Sequence, residues 1–355
     1  MLKNPFKFGT VVDYQFFTDR KNELQFIKNM MESPNHLVLI SPRRFGKTSL
    51  VKKAVSELNR PNIYLNLQSI TSVEDLSLHL IKAVFRLYPL EKIKHLIAHF
   101  RVIPTISSNP MTDGIDISFQ PFIDTHILLE DAMNLLEKVS VETNRLIVIL
   151  DEFQECLDLD KGIDKRLRAV MQEQKNINYI LLGSQESMMT DIFERKKSPF
   201  YHFGQLMRLD KIPYEDFFAY ISERMKPLSV DNCEQLAKDI LEITHCHPYY
   251  TQQLASQVWF MLNNDEYTDG IVNSALQELV RTHDLDFERL WLTLNKTDRK
   301  ILQALAQDKK IFDVKNIASS TAQSSAKKLM KKGYVIKAKR HEIEDPFFKF
   351  WVLNN

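Results

Sequence analysis

Ser41-Pro42-Arg43-Arg44-Phe45-Gly46-Lys47-Thr48-Ser49 lies between the apolar run Leu37-Val38-Leu39-Ile40 and a helix-forming stretch from Leu50 to Leu58. A buried strand that turns tightly into a helix leaves the first N–H groups of that helix without backbone partners, and the helix dipole adds positive potential at the same point. The segment has the spacing of G-x-x-x-x-G-K-[ST], so the turn predicts a site for a nucleoside triphosphate. In that pattern Gly46 lets the backbone approach the phosphates, Lys47 reaches the β and γ oxygens, and the Thr48 hydroxyl ligates Mg²⁺. Ser41, Arg43, Arg44, Phe45 and Ser49 belong to the same loop. Arg43 and Arg44 are read either as cations for a phosphate, a lid or a neighbouring subunit, or as solvated loop residues. Ser41 stands where the pattern has its first glycine, and a Cβ at that turn narrows the backbone geometries open to it.

Such a loop calls for a carboxylate that holds the metal from the end of a neighbouring buried strand. Arg145-Leu-Ile-Val-Ile-Leu-Asp151-Glu152 offers one, because the five apolar residues Leu146 to Leu150 are too few to span a membrane and rich in branched side chains. Asp151 is the expected Mg²⁺ ligand. Glu152, at the C-terminal edge of the strand where ligands sit in open α/β sheets, is expected to polarise the water that attacks the γ-phosphate, with Lys47 as the second catalytic group. A third strand, Asn178 to Gly183, ends in Ser184-Gln185. These two are candidate sensors of the γ-phosphate; alternatively Ser184 caps the helix that follows, although Ser187 occupies the position where a capping box has an acid or amide.

Composition agrees with an ordinary soluble chain of two or three domains: 355 residues, 44% hydrophobic and 26% charged. Three scattered cysteines, Cys156, Cys233 and Cys246, show neither even pairing nor metal-ligand spacing, which points to a reducing compartment and the cytoplasm. The N-terminus lacks the apolar core of a signal peptide and no stretch is long enough to cross a bilayer, so no membrane association is expected. The net charge of +1 conceals an asymmetry. From Trp291 to Asn355, 14 Lys and Arg stand against 6 Asp and Glu, so this stretch carries +8 and the remainder −7. Segregated charge of this kind suits nucleic acid or an acidic protein face, or simply a solvated lysine-rich helix.

Strands are expected at Val38 to Ile40, Ile63 to Leu67, Leu146 to Leu150, Tyr179 to Leu182 and Leu206 to Leu209, with helices between them, which implies a parallel α/β sheet. Ile103 to Pro121, with Pro104, Pro110 and Pro121, reads as a long irregular connection with room for a short strand. Beyond Pro213 the pattern becomes helical at Tyr214 to Met225, Asp231 to Thr244, Pro248 to Leu262 and Ile271 to Leu290. From Lys296 it reads as helices Asp298 to Gln307, Val314 to Ala318 and Ala322 to Lys332, a turn at Gly333, and strands Tyr334 to Lys337 and His341 to Glu344, the order of a winged helix. The domain expectation is a nucleotide-binding core over 1–212, a helical lid over 213–290 and a winged helix over 291–355.

As a whole the chain resembles the P-loop ATPases of the AAA+ and STAND group, in particular the archaeal-type ATPase family also found in bacteria. The resemblance covers nearly all of the chain and rests on Phe17-Thr-Asp-Arg20-Lys-Asn-Glu23-Leu24, Pro-Arg-Arg-Phe-Gly-Lys-Thr, Leu-Asp-Glu-Phe, Gly-Ser-Gln, Ser198-Pro-Phe-Tyr, His247-Pro-Tyr-Tyr and the closing Glu344-Asp-Pro-Phe-Phe-Lys-Phe-Trp351. It implies a P-loop core with the adenine near the segment Phe17 to Leu24, a helical lid that closes over the phosphates, and a C-terminal winged helix. Two departures stand out. Relatives often follow Ser-Pro-x-Tyr with Gly-Arg, whereas this chain continues Tyr201-His202-Phe203-Gly204 and its nearest later arginine is Arg208, which leaves the source of any arginine finger open. Relatives often place Gly-Gly before His-Pro, where this chain has His245-Cys246.

Pro248 suits the first position of a helix, so His247 stands just before a helix N-terminus, and the pair are the lid's candidate nucleotide contacts or a structural cap. The trio His245, Cys246 and His247 is rejected as a metal site, because adjacent side chains diverge and no fourth ligand is evident. Lys327, Lys328, Lys331 and Lys332 recur as a basic stripe on the presumed recognition helix, with Lys337, Lys339 and Arg340 on the wing. They form a surface for DNA phosphates or for docking on a protein, including the chain's own core. The function that follows is an ATP-binding, slowly hydrolysing molecular switch whose nucleotide state repositions lid and winged helix, as monomer or oligomer. The alternative is a nucleotide-gated DNA-binding or protein-docking regulator that seldom turns over.

Overall fold

The apolar run before the loop is a strand, β1 (Leu37–Ile40), buried along its whole length. It is seen in a computed structural model that describes residues 2–10, 17, 20–102, 105–109, 114–118, 124–228, 230, 232–264, 270–314, 316–337 and 340–355. Thr18, Asp19, Ile103, Pro104, Pro110, Pro121, Asp231 and Lys339 of the sequence expectations lie outside the described residues. The described chain clusters into two compact units, Lys21–Ser41 with Leu50–Leu209, and Met1–Arg20 with Pro42–Ser49 and Asp210–Asn355.

The first of these is built on a five-stranded sheet. In chain order come α1 (Lys21–Glu32), β1, α2 (Lys47–Leu58), β2 (Asn62–Asn66), α3 (Val73–Leu87) and α4 (Leu90–Ile97). A hairpin of β3 (Thr105–Asn109) and β4 (Gly114–Ser118) follows, then α5 (Thr125–Val139), β5 (Leu146–Asp151), α6 (Ile163–Glu173), β6 (Ile177–Gly183), α7 (Glu186–Phe193) and β7 (Gln205–Arg208). The sheet order is β2-β5-β6-β1-β7, with every neighbouring pair parallel. The three inner strands are wholly buried and mostly apolar, with Asn178 in β6 and Asp151 at the end of β5 as their buried polar residues, and the edge strands β2 and β7 are only partly buried. Helix α3 presents Val73, Leu76, Leu80, Ile81, Val84 and Phe85 to this core, and Ser72 caps it by accepting from the Asp75 N–H at 3.1 Å.

Two sequence expectations change here. The carboxylate strand β5 is one place removed from β1, with β6 between them, so at about 4.8 Å per strand the acids lie roughly 10 Å across the sheet from the end of β1. The stretch expected to be an irregular connection contains the antiparallel hairpin of β3 and β4, in which Ile106 pairs with Ile117.

Beyond residue 210 the chain is helical: α8 (Tyr214–Met225), α9 (Cys233–Thr244), α10 (Pro248–Asn263), α11 (Ile271–Thr282), α12 (Asp284–Leu292) and α13 (Lys296–Ala306). Then come α14 (Ser319–Lys331), the antiparallel ribbon of β8 (Val335–Lys337) and β9 (His341–Ile343), and α15 (Pro346–Asn354). The expected single helix from Ile271 to Leu290 is two, broken at His283, whose N–H is shared between the Leu279 and Val280 carbonyls. The helical turn expected at Val314 to Ala318 sits earlier, at Ile311–Asp313, where the Asp313 carboxylate accepts from the Lys310 N–H at 2.9 Å.

One apolar cluster runs from Phe6 through Phe217, Ile221, Tyr250, Leu254 and Trp259 to Ile301, Leu329, Phe347 and Trp351. The helices after Pro213 and the C-terminal elements therefore share one core. The N-terminal residues join it: Phe6 packs edge-on against Tyr220 and Trp259, and the Asn4 side chain donates to the Ser256 carbonyl and hydroxyl. Among the described residues, no helix is long and apolar enough to cross a membrane.

Candidate functional site

Of the loop residues, the two that adopt left-handed backbone are Arg44, with φ 64°, and Gly46, with φ 87°. Alternation in the sign of φ turns successive N–H groups to one side, the geometry of an anion-binding nest. Ser41, at the position of the pattern's first glycine, is not among the left-handed residues; it is buried and its N–H donates to the Gly183 carbonyl at 3.3 Å. The turn therefore tolerates a Cβ there. Lys47 is buried and its Nζ donates across the loop to the Pro42 carbonyl at 3.1 Å; Thr48 and Ser49 are half-buried in the first turn of α2, and Arg43 is exposed.

Residues 44 and 45 are gripped by side chains distant in sequence. The Arg44 guanidinium donates to the Tyr250 hydroxyl at 2.7 Å and lies 4.7 Å from the Tyr249 ring centroid. Tyr250 donates in turn to Glu344 Oε2 at 3.3 Å, and Glu344 Oε1 accepts from His247 Nε2 at 3.1 Å. The His247 ring packs edge-on against Phe45, centroid to centroid 4.9 Å, and Arg20 donates to the Phe45 carbonyl at 3.2 Å. Burial opposes the charge on Arg44, but Tyr250, Glu344 and Tyr249 outweigh it and raise the pKa. Burial, with Asp345 and Glu344 nearby, likewise pushes the Tyr250 phenol up. His247 is the N-cap of α10: its Nδ1 accepts from the Tyr249 N–H at 3.2 Å, and Pro248 fills the first turn. Both ring nitrogens are thus occupied by protein groups.

The acids form a second corner. Asp151, buried at the end of β5, has Oδ2 bonded by the Tyr64 hydroxyl at 2.6 Å and Oδ1 by the Glu152 N–H at 3.0 Å. Glu152 has left-handed backbone, φ 53°. Its Oε2 accepts from the Ser184 hydroxyl at 2.6 Å, the Ser184 N–H at 3.2 Å and Gln154 Nε2 at 2.7 Å. Ser184 is therefore engaged with an acid, and the cap position of α7 falls to Gln185, whose side chain makes no cap bond and donates instead to Glu155 at 3.2 Å. Neither Tyr64 nor the grip by Tyr249, Tyr250 and Glu344 was assigned a role from the sequence, since an aromatic residue on an edge strand or a helix carries no local sign of a polar partner.

His202, His245 and Cys246 all have left-handed backbone, with φ 56°, 49° and 58°. Arg208 is committed to an ion pair with Glu194 and a bond to Thr190. On α14 and at its C-cap, Lys327, Lys328, Lys331 and Lys332 are exposed, and Lys328 donates at 2.6 Å to the buried Asp298, which also accepts from Ser325 at 2.6 Å. Burial raises the Asp298 pKa, but Lys328 and Ser325 outweigh it and the net shift is downward. Arg340 pairs with Asp308 at 2.7 Å.

Residues 17–254 match the model of a family described as an ATPase domain predominantly from Archaea. Among solved structures the chain is similar to the Walker-type ATPase paby2304 of Pyrococcus abyssi, at 17% identity and TM-score 0.66 over 96% of this chain and 97% of that one. It is also similar to the ORC2 protein of Aeropyrum pernix in its ADPNP–ADP complexes, at 14% identity and TM-score 0.57 over 98% and 96%. A third is the RuvB Holliday junction branch migration motor of Thermotoga maritima, at 14% identity and TM-score 0.50 over 96% of each chain. At these identities the likenesses are of fold. No curated protein matches the chain.

Proposed function

The chain belongs to the family of ATPase domains predominantly from Archaea, a nucleotide-binding ATPase with a parallel-sheet P-loop fold, and from that premise we propose that it is a slow, partner-stimulated molecular switch. The observation that carries this reading is the acid corner, where a buried Asp151 and a Glu152 oriented by three donors stand together at the end of β5. Such an arrangement suits positioning and charge stabilisation, the main protein contributions to phosphoryl transfer to water.

In this reading the backbone of Ser41 to Ser49 cradles the phosphates, and Lys47 stabilises charge on the γ-phosphoryl group as it leaves. Thr48 and Asp151 are the residues that would hold Mg²⁺, which when bound would supply neutralisation of the charge that develops on the phosphates. Asp151 fits that task, because Tyr64 and the Glu152 N–H fix the orientation of its carboxylate. Glu152 orients the attacking water and accepts its proton; Ser184 and Gln185 fix the corner. His247 acts on the site by packing against Phe45, and Pro248 by opening the helix that His247 caps. Residues 213–290 serve as the lid and 291–355 as the winged helix.

The exposed lysines of α14 support DNA as the partner, through phosphate contacts that are salt-dependent and weakly sequence-specific. Phosphate release and ATP binding measured for wild type and Glu152→Gln test the reading. Loss of release with retained binding supports hydrolysis by this corner; unchanged release in the variant contradicts it. Absence of release from wild type, with nucleotide-dependent DNA retention at low salt, favours the regulator that seldom turns over.

A further inference from the structure

Arg44 is an odd residue to find in left-handed backbone, a conformation that glycine adopts freely and a side chain with a Cβ does not. Strain of this kind persists where the surroundings over-determine it. Here they do. Arg44 donates to the Tyr250 hydroxyl and lies over the Tyr249 ring, Tyr250 donates to Glu344, Glu344 accepts from His247, and His247 packs against Phe45. The contacts close a ring around two consecutive loop residues, using side chains 206 positions away from Arg44 and, beyond them, 94 further. Gly46, the other left-handed residue, needs no such support, because without a Cβ it adopts this backbone freely.

We propose that Tyr250 is a positioning residue for nucleotide binding: with Tyr249 and Glu344 it holds Arg44 in left-handed backbone, and so aims the loop N–H groups at a polyphosphate. The inference rests on the loop being the nucleotide site. It makes one physical unit of three segments that look independent in sequence: Pro-Arg-Arg-Phe-Gly-Lys-Thr, His-Pro-Tyr-Tyr and Glu-Asp-Pro. By linkage, a nucleotide that favours the gripped loop also favours the Tyr250–Glu344 contact, so the segment opening α15 senses occupancy.

Glycine separates this role from a general structural one. The dissociation constants of fluorescent ATP and ADP, with Mg²⁺, are measured on the full chain for wild type, Tyr250→Phe, Glu344→Gln, Arg44→Ala, Arg44→Gly and the double variants of Arg44→Gly with the first two. Tyr250→Phe, which removes one hydroxyl, is expected to weaken binding about five- to tenfold, with a smaller effect of Glu344→Gln. Arg44→Ala is expected to bind at least fivefold more weakly than Arg44→Gly, because alanine keeps the steric penalty and loses the grip. In the Arg44→Gly background neither second substitution weakens binding further. Equal binding by Arg44→Ala and Arg44→Gly, an unaltered Kd in Tyr250→Phe, or an equal Tyr250→Phe effect in both backgrounds overturns the proposal. Failure of wild type to bind either nucleotide removes the functional reading, and this inference with it; binding by wild type with uncoupled variants removes the inference alone.

Discussion

The loop and the acid corner each place a non-glycine residue in left-handed backbone, Arg44 in one and Glu152 in the other, but they restrain it by different means. Glu152 is held by Ser184 at the end of the adjacent strand and by Gln154 two residues on. Arg44 is held by Tyr250 and, through it, by Glu344, near the end of the chain. Restraint from the same sheet ties the acid corner to the ends of β5 and β6. Restraint from the C-terminal segments makes the loop's geometry depend on how those segments fold. On this account, substitutions in the corner act on the rate of chemistry, and substitutions in the grip act on affinity.

The largest effect is expected from Glu152→Gln, which keeps the size of the side chain and removes its basicity. Turnover at saturating ATP should fall about 10²- to 10⁴-fold, while the Kd for ATP changes little; a matching loss of affinity would erase the distinction between the regions. Next is Lys47→Ala in the loop, expected to weaken ATP binding more than about tenfold through loss of a charged contact to phosphate. Ser184→Ala should lower turnover about tenfold by freeing the Glu152 carboxylate, with Ser184→Thr recovering most of the loss. If Ser184→Ala instead weakened ATP binding and left turnover at saturation intact, Ser184 would belong with the loop. The smallest effects are stability gains at His245 and Cys246, whose left-handed backbone is relieved by glycine; each substitution should stabilise by up to about 1 kcal/mol in thermal unfolding. A loss of stability at both would show that their side chains contribute more than the backbone strain subtracts.

What could be read from the sequence was what is local. The run Leu146 to Leu150 ends in Asp-Glu and is the buried strand β5, and Ser41 to Ser49 joins strand to helix because the apolar run and Lys47 to Leu58 have the periods of those elements. The left-handed backbone at His202, His245 and Cys246 was not legible, because a residue with a side chain carries no local mark of the sign of its φ. Ser41, expected to narrow the geometry of the loop, is not among the left-handed residues. The interposed strand β6 between loop strand and acid strand could not be inferred, because each inner strand is a similar apolar run and nothing local fixes their order. Nor could the bond from Tyr64 to Asp151 or from Arg44 to Tyr250, which depend on pairing and packing between segments far apart in sequence.

The central claim, that the backbone around Lys47 holds a metal-bound triphosphate, is tested most directly by calorimetric titration of ATP with Mg²⁺ into wild type and Lys47→Ala. Saturable binding at one site per chain, weakened more than about tenfold in the variant, is the result the account predicts. No heat of binding in wild type, or the same Kd in both proteins, would contradict it.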